Sequence, residues 1–143
     1  IDFLATNMIE QTGLKVATLI RRIEDAADLS NPNVVKVVIN RNNEAMYFSR
    51  QAIPFVRDFP VDSWLDHGVY YKHVGMYAYT SQALMAIEKL HMHPYEALEK
   101  LEQLTWIAHG LSIECYETNM ESIGIDTEED LKAVTSMIAE LED

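Results

Sequence analysis

Two rhythms of apolar and polar positions alternate along the chain. Leu14 to Ile20 is a nearly continuous apolar run with β-branched residues, which predicts a buried strand. Val34 to Ile39 and Glu44 to Phe48 are strand-like runs on either side of Asn40-Arg41-Asn42-Asn43, the pattern of a β-hairpin. Asn31-Pro32-Asn33 ahead of them is a turn signal. Tyr71 to Tyr79 and Ser112 to Glu117 read as two more strands. The helical rhythm runs through residues 3–11, stopped by Gly13, and through 81–91 by way of Leu84, Ile87 and Leu90. Pro94 opens a further helix that reaches about Ala108, where His109-Gly110 ends it. Pro54 to His67 is polar and aromatic, has no period, and reads as a loop.

Near the C-terminus, Ile123-Gly124-Ile125 reads as a strand ending at Asp126. Thr127 and Asp130 then fit the start signature in which a Thr hydroxyl caps free backbone N–H groups. Leu131, Val134, Ile138 and Leu141 continue at helical spacing from residue 128. Asp126 therefore stands on a corner between strand and helix. Carboxylates at such corners of α/β proteins often face the ligand crevice at the carboxyl ends of the strands. The same position also suits a second capping residue, and the local pattern leaves both open.

The order is helix, strand, hairpin, strand, two helices, strand, helix. That predicts an α/β protein combining crossover units with an antiparallel hairpin. No internal repeat, low-complexity segment or linker divides the chain, so residues 1–143 read as one domain. The opening helix has no upstream strand to pack on, which predicts an incomplete fold.

Composition narrows the class. Apolar residues make up 48% of the chain, as in a globular protein. No apolar run approaches the length of a membrane span, and Ile1-Asp2-Phe3-Leu4 carries no basic region of a signal peptide. A single cysteine, Cys115, forms no internal disulfide, which points to a reducing compartment such as the cytoplasm. The net charge of −12 argues against a nucleic-acid partner. It leaves room for a nucleotide held through a divalent cation between carboxylate and phosphate.

Several polar residues stand where a core pattern does not ask for them. Arg50 closes the hairpin after Tyr47-Phe48-Ser49. His73, Gly75, Tyr77 and Tyr79 share one strand face by alternation, and Gly75 leaves room for a close approach to the backbone. Glu102 and Gln103 fall together late in the Pro94 helix. Each also has a plainer reading: a packed histidine, core tyrosines, a surface ion pair, solvated helix residues. His91-Met92-His93 is a weak metal pair with no further Cys or His nearby, Cys115 reads as inert, and Trp64 and Trp106 as packing residues.

In order along the chain, six segments resemble the CMP-Kdo synthetases, the 3-deoxy-manno-octulosonate cytidylyltransferases. They are Asn31 to Val38, Tyr47-Phe48-Ser49-Arg50, Ile53-Pro54, His73 to Tyr79, Leu98 to Leu104, and Gly124 to Leu131. The resemblance covers essentially this whole chain but only the C-terminal part of the family's length. It implies the C-terminal part of a Rossmann-like nucleotide-diphospho-sugar transferase fold, a mixed sheet with an antiparallel hairpin. It implies a sugar-binding and dimerisation portion, with the Gly- and Arg-containing CTP loop lying outside these residues. It implies transfer of CMP from CTP to Kdo with release of pyrophosphate, for lipopolysaccharide assembly, in a homodimer. By the same resemblance Asp126 is a Mg²⁺ ligand, Arg50 a contact for the sugar acid's carboxylate, and His73, Tyr77, Glu102 and Gln103 sugar contacts. No residue of this chain is expected to bind the nucleotide.

Two departures bear on the sugar. Thr105 stands where the family commonly has Arg, and Ser122-Ile123-Gly124 replaces its Gly-Thr-Gly. An 8-amino analogue of Kdo, or another 3-deoxy sugar acid, is therefore an alternative substrate. A different class of function is a non-catalytic sugar-acid-binding or dimerisation module, since a free-standing hairpin has edges that favour pairing. The chain by itself is expected not to turn over CTP.

Overall fold

The computed structural model describes residues 2–9, 15–119 and 135. Among them, β1 (Val16–Arg22), β2 (Lys36–Ile39), β3 (Ala45–Ser49), β4 (Tyr71–Tyr79) and β5 (Ile113–Glu117) form a five-stranded sheet in the order β3-β2-β4-β1-β5. β1 runs parallel to β5 and antiparallel to β4, while β2 pairs antiparallel with both β3 and β4. This is the mixed α/β sheet with an antiparallel hairpin that the sequence pattern predicts. The hairpin turns at Asn40 to Asn43, where Asn43 takes a positive φ of 59° and its N–H donates to the Asn40 carbonyl at 3.1 Å.

The two sheet faces divide the apolar residues. Ala17, Leu19, Val74, Met76 and Ala78 face α1 (Asp2–Ile9), which buries Leu4 and Met8 against them. The opening helix thus packs on strands that follow it, not on an upstream strand. Val16, Ile20, Phe48, Ile113 and Cys115 form the core of the other face. It is covered by Ala83 of α3 (Ser81–Ile87) and by Leu104 and Trp106 of α5 (Gln103–Ala108).

The structure corrects the sequence reading in four places. The helix expected from Pro94 to Ala108 is two, α4 (Pro94–Glu99) and α5, separated where Lys100 enters the left-handed region at φ 56°. The break lets Leu101 turn into the core while α4 stays outside. A short helix, α2 (Ala26–Ser30), was not anticipated; the Asp25 carboxylate caps it at Ala27 N, 2.9 Å, and Leu29 is buried. At five residues it shows no period to read. The segment read as a loop holds a 3-10 helix at Val61–Asp66, whose three-residue turn a 3.6-residue pattern misses. It packs Trp64 on Ile23, Leu29 and Tyr70. Finally, the hairpin is not free-standing: Glu44 bridges to Glu114 and Cys115 N donates to Asn43 O at 2.7 Å. Its tip curls back onto β5, at the far side of the sheet.

Candidate functional site

Thr18 organises the site from the middle of β1. It is fully buried within an apolar run, so its hydroxyl must find partners. Opposite it, Thr18 pairs with Tyr77 while Leu19 pairs with Val74, so Gly75 and Met76 bulge out of the ladder. Because two residues are extra, the side-chain parity of β4 is preserved. His73, Tyr77 and Tyr79 remain on one face, as the alternation predicts. The Thr18 hydroxyl donates to the Met76 carbonyl at 2.8 Å and so pins the bulge. Its oxygen is then free to accept from His73 Nε2 at 3.0 Å. That pairing leaves His73 Nδ1 as an acceptor. A Cβ placed on Gly75 meets nothing within 4 Å, so this stretch of backbone is open to approach.

His73 sits edge-on to Phe48, ring centroids 5.2 Å apart, and at the same distance from the Tyr77 ring. Burial pushes its pKa down to about 4, so the imidazole is neutral at pH 7. Tyr77 lies between His73, Tyr79 and Trp106. Its hydroxyl is closed to solvent and has no hydrogen-bond partner among the described residues. Burial, and then its neighbours Tyr79, Cys115 and Glu102, raise its pKa; the nearby Thr18 hydroxyl lowers it by less, without reaching the Tyr77 oxygen in hydrogen-bond geometry. Burial and then Glu102 raise that of Tyr79 as well. The Glu102 carboxylate is therefore close to both rings, though exposed itself.

Glu102 and Gln103 do not lie late in a long helix. Glu102 is the residue just before α5 and Gln103, buried, is its first residue. Thr105, the departure from the family pattern, is also buried; its hydroxyl donates to the Glu96 carboxylate and accepts from His93 N at 2.8 Å. It ties α5 to the start of α4.

Arg50 follows β3, two residues beyond Phe48. Its Nε donates to the Glu99 carbonyl at 2.7 Å and its Nη1 to the Pro32 carbonyl at 3.0 Å. The Glu99 carboxylate in turn accepts from the Ser49 hydroxyl at 2.7 Å and from Arg50 N at 2.9 Å. Arg50 thus has a fixed base and three of its five N–H donors left over, enough to take a carboxylate through two of them.

The structure gathers His73, Tyr77 and Glu102 into one neighbourhood, with Gln103 next in the chain and Arg50 joined to it through Phe48. Asp126 lies outside the described residues. Among the described residues no three His, Cys, Asp or Glu side chains converge as metal ligands. Sequence reasoning missed Thr18, Lys36 and Glu99. For the first two a signal existed: a lone polar residue inside an apolar strand run.

Comparison with known proteins follows the same outline. A family model described as cytidylyltransferase matches residues 2–122. A 3-deoxy-manno-octulosonate cytidylyltransferase of Cytophaga hutchinsonii is 47% identical over 123 residues, 85% of this chain and 49% of that protein. One of Parabacteroides distasonis is 43% identical over 129 residues, 87% and 51% of the two chains. A solved CMP:2-keto-3-deoxy-manno-octonic acid synthetase, complexed with CTP, superposes with a TM-score of 0.85 at 35% identity, covering 97% of this chain and 55% of the other. The chain spans about half the length of the curated relatives it matches.

Proposed function

The chain belongs to the cytidylyltransferase family, and we propose that it forms the sugar-acid side of an enzyme that transfers CMP from CTP to Kdo, releasing pyrophosphate for lipopolysaccharide assembly. The observation that carries this reading is the buried hydroxyl of Tyr77, without a hydrogen bond among the described residues, beside the neutral imidazole of His73. A buried hydroxyl without a partner costs about 1–3 kcal/mol. A sugar hydroxyl entering from the Glu102 side supplies that partner, with His73 and Gln103 as further contacts and Glu102 as acceptor. Arg50 takes the sugar acid's carboxylate with its unused donors.

Nucleotide binding is assigned to a part of the enzyme outside these residues, since no Gly-rich phosphate loop occurs in the chain. Mg²⁺ belongs to the reading through Asp126 alone. The homodimer belongs to it as well, supported by the exposed apolar side chains Phe55 and Leu98. Among the described residues no helix is long and apolar enough to cross a membrane.

Pyrophosphate release tests the assignment. The 143-residue chain given CTP, Kdo and Mg²⁺ is expected to release none. The longer protein carrying it is expected to release pyrophosphate only with a 3-deoxy sugar acid present, and Asp126→Asn there to abolish turnover in a folded protein. Near-normal turnover of that variant removes Asp126 from the metal site, and turnover indifferent to the sugar acid overturns the reading.

A further inference from the structure

Lys36 is the one lysine of β2, and it is fully buried. An ammonium removed from water is costly unless all its donors are used. Here Nζ donates to the carbonyls of Asn31 at 2.9 Å, Val34 at 2.5 Å and Arg50 at 2.6 Å. Those carbonyls come from the turn before β2 and from the exit of β3. Lys36 therefore joins, at one atom, the two pieces of backbone between which the Arg50 side chain is suspended. One piece carries Pro32, which accepts from Arg50 Nη1; the other is the Arg50 backbone itself.

We propose that Lys36 is a positioning residue for Arg50: its ammonium fixes the Asn31–Val34 turn against the Arg50 backbone, and so aims the unused guanidinium donors at the sugar acid's carboxylate. This rests on the reading of Arg50 as the carboxylate contact. Glu99 supports the same arrangement from α4, by accepting from Arg50 N and Nε through its carboxylate and its carbonyl. Lys36 touches no ligand, since its donors are all directed to backbone.

Lys36→Met keeps the length and apolar stem and removes the ammonium. In the isotope-labelled chain with unchanged amide dispersion in β1, β4 and β5, exchange of the Arg50 Nε–H is expected to accelerate about tenfold. Titration with 3-deoxy-manno-octulosonate is expected to lose its response at Arg50 while retaining that at the His73 ring. A merely structural lysine weakens both responses together or neither. An unchanged Arg50 Nε–H and an unchanged Arg50 response in Lys36→Met overturn the proposal. If the unsubstituted chain shows no Arg50 response to the sugar acid, it is the reading of Arg50 that fails, whatever Lys36→Met does to the Nε–H. Should Lys36→Met not fold, native-state exchange of the unsubstituted chain decides. Arg50 Nε–H and the Lys36 ammonium are expected to open with the same urea dependence, and independent opening contradicts the proposal.

Discussion

Thr18 Oγ1 lies 3.0 Å from His73 Nε2, at the point where β4 carries two residues unpaired with β1. One hydroxyl thus fixes both the bulge and the orientation of the imidazole. The bulge is a local feature with a site-wide effect, because it opens the backbone at Gly75 while leaving His73 and Tyr77 on one face.

The first expectation concerns acid. His73 titrates at about 4 in the folded chain and near 6.5 when unfolded. Above pH 6.5 both states are neutral and the group is indifferent. Between 6.5 and 4 the unfolded chain takes the proton first, so stability falls as pH falls, by up to about 3 kcal/mol from this residue. Urea midpoints at pH 7 and pH 4.5 in the wild type and in His73→Phe check this. The wild type is expected to lose more stability across that interval; equal losses contradict a buried, neutral His73.

Tyr77→Phe removes a hydroxyl that makes no hydrogen bond among the described residues. Folding is expected to be unchanged or strengthened by about 1 kcal/mol, while sugar-acid affinity falls about tenfold. A chemical denaturation curve and a calorimetric titration separate the two effects. A destabilised Tyr77→Phe means that the hydroxyl is already satisfied.

Glu99→Ala takes away the acceptor of Ser49 Oγ and Arg50 N. A cost of about 2 kcal/mol is expected, measured by urea unfolding of the tryptophan signal. A change under a few tenths of a kcal/mol contradicts the role given to this carboxylate.

Lys100 stands at φ 56°, where an L side chain is strained. Lys100→Gly is expected to raise stability by about 0.5–1 kcal/mol. A loss of stability in thermal unfolding contradicts the assigned break between α4 and α5.

Strands were legible in this sequence where burial imposes a two-residue or unbroken apolar pattern: Tyr71 to Tyr79 is read with the bounds observed, and the hairpin turn falls where its four polar residues predict. The C-terminal helix and Asp126 lie outside the described residues, save Thr135. Elements set by one capping contact or by a distant partner were not legible. The Asp25 cap of α2, the 3-10 turn around Trp64 and the Lys100 break have no periodic signature. At the site, the candidate residues stood out as polar positions in the pattern and took their roles from a resemblance, while what holds them showed in neither. Thr18 and Lys36 are polar residues in apolar strands, and only the three-dimensional pairing shows what each satisfies. Glu99 gave no sign at all, because its partners are about fifty residues away in the chain.

The central claim is that the sheet face bearing Arg50, His73 and Tyr77 receives a 3-deoxy sugar acid. The direct test is titration of the isotope-labelled chain with 3-deoxy-manno-octulosonate, followed by NMR at the Arg50 guanidinium and the His73 imidazole. Saturable shifts at both, lost at Arg50 and weakened about tenfold overall in Arg50→Gln, are the predicted result. Shifts absent from both groups at saturating sugar acid, or unaltered affinity in Arg50→Gln, contradict the account.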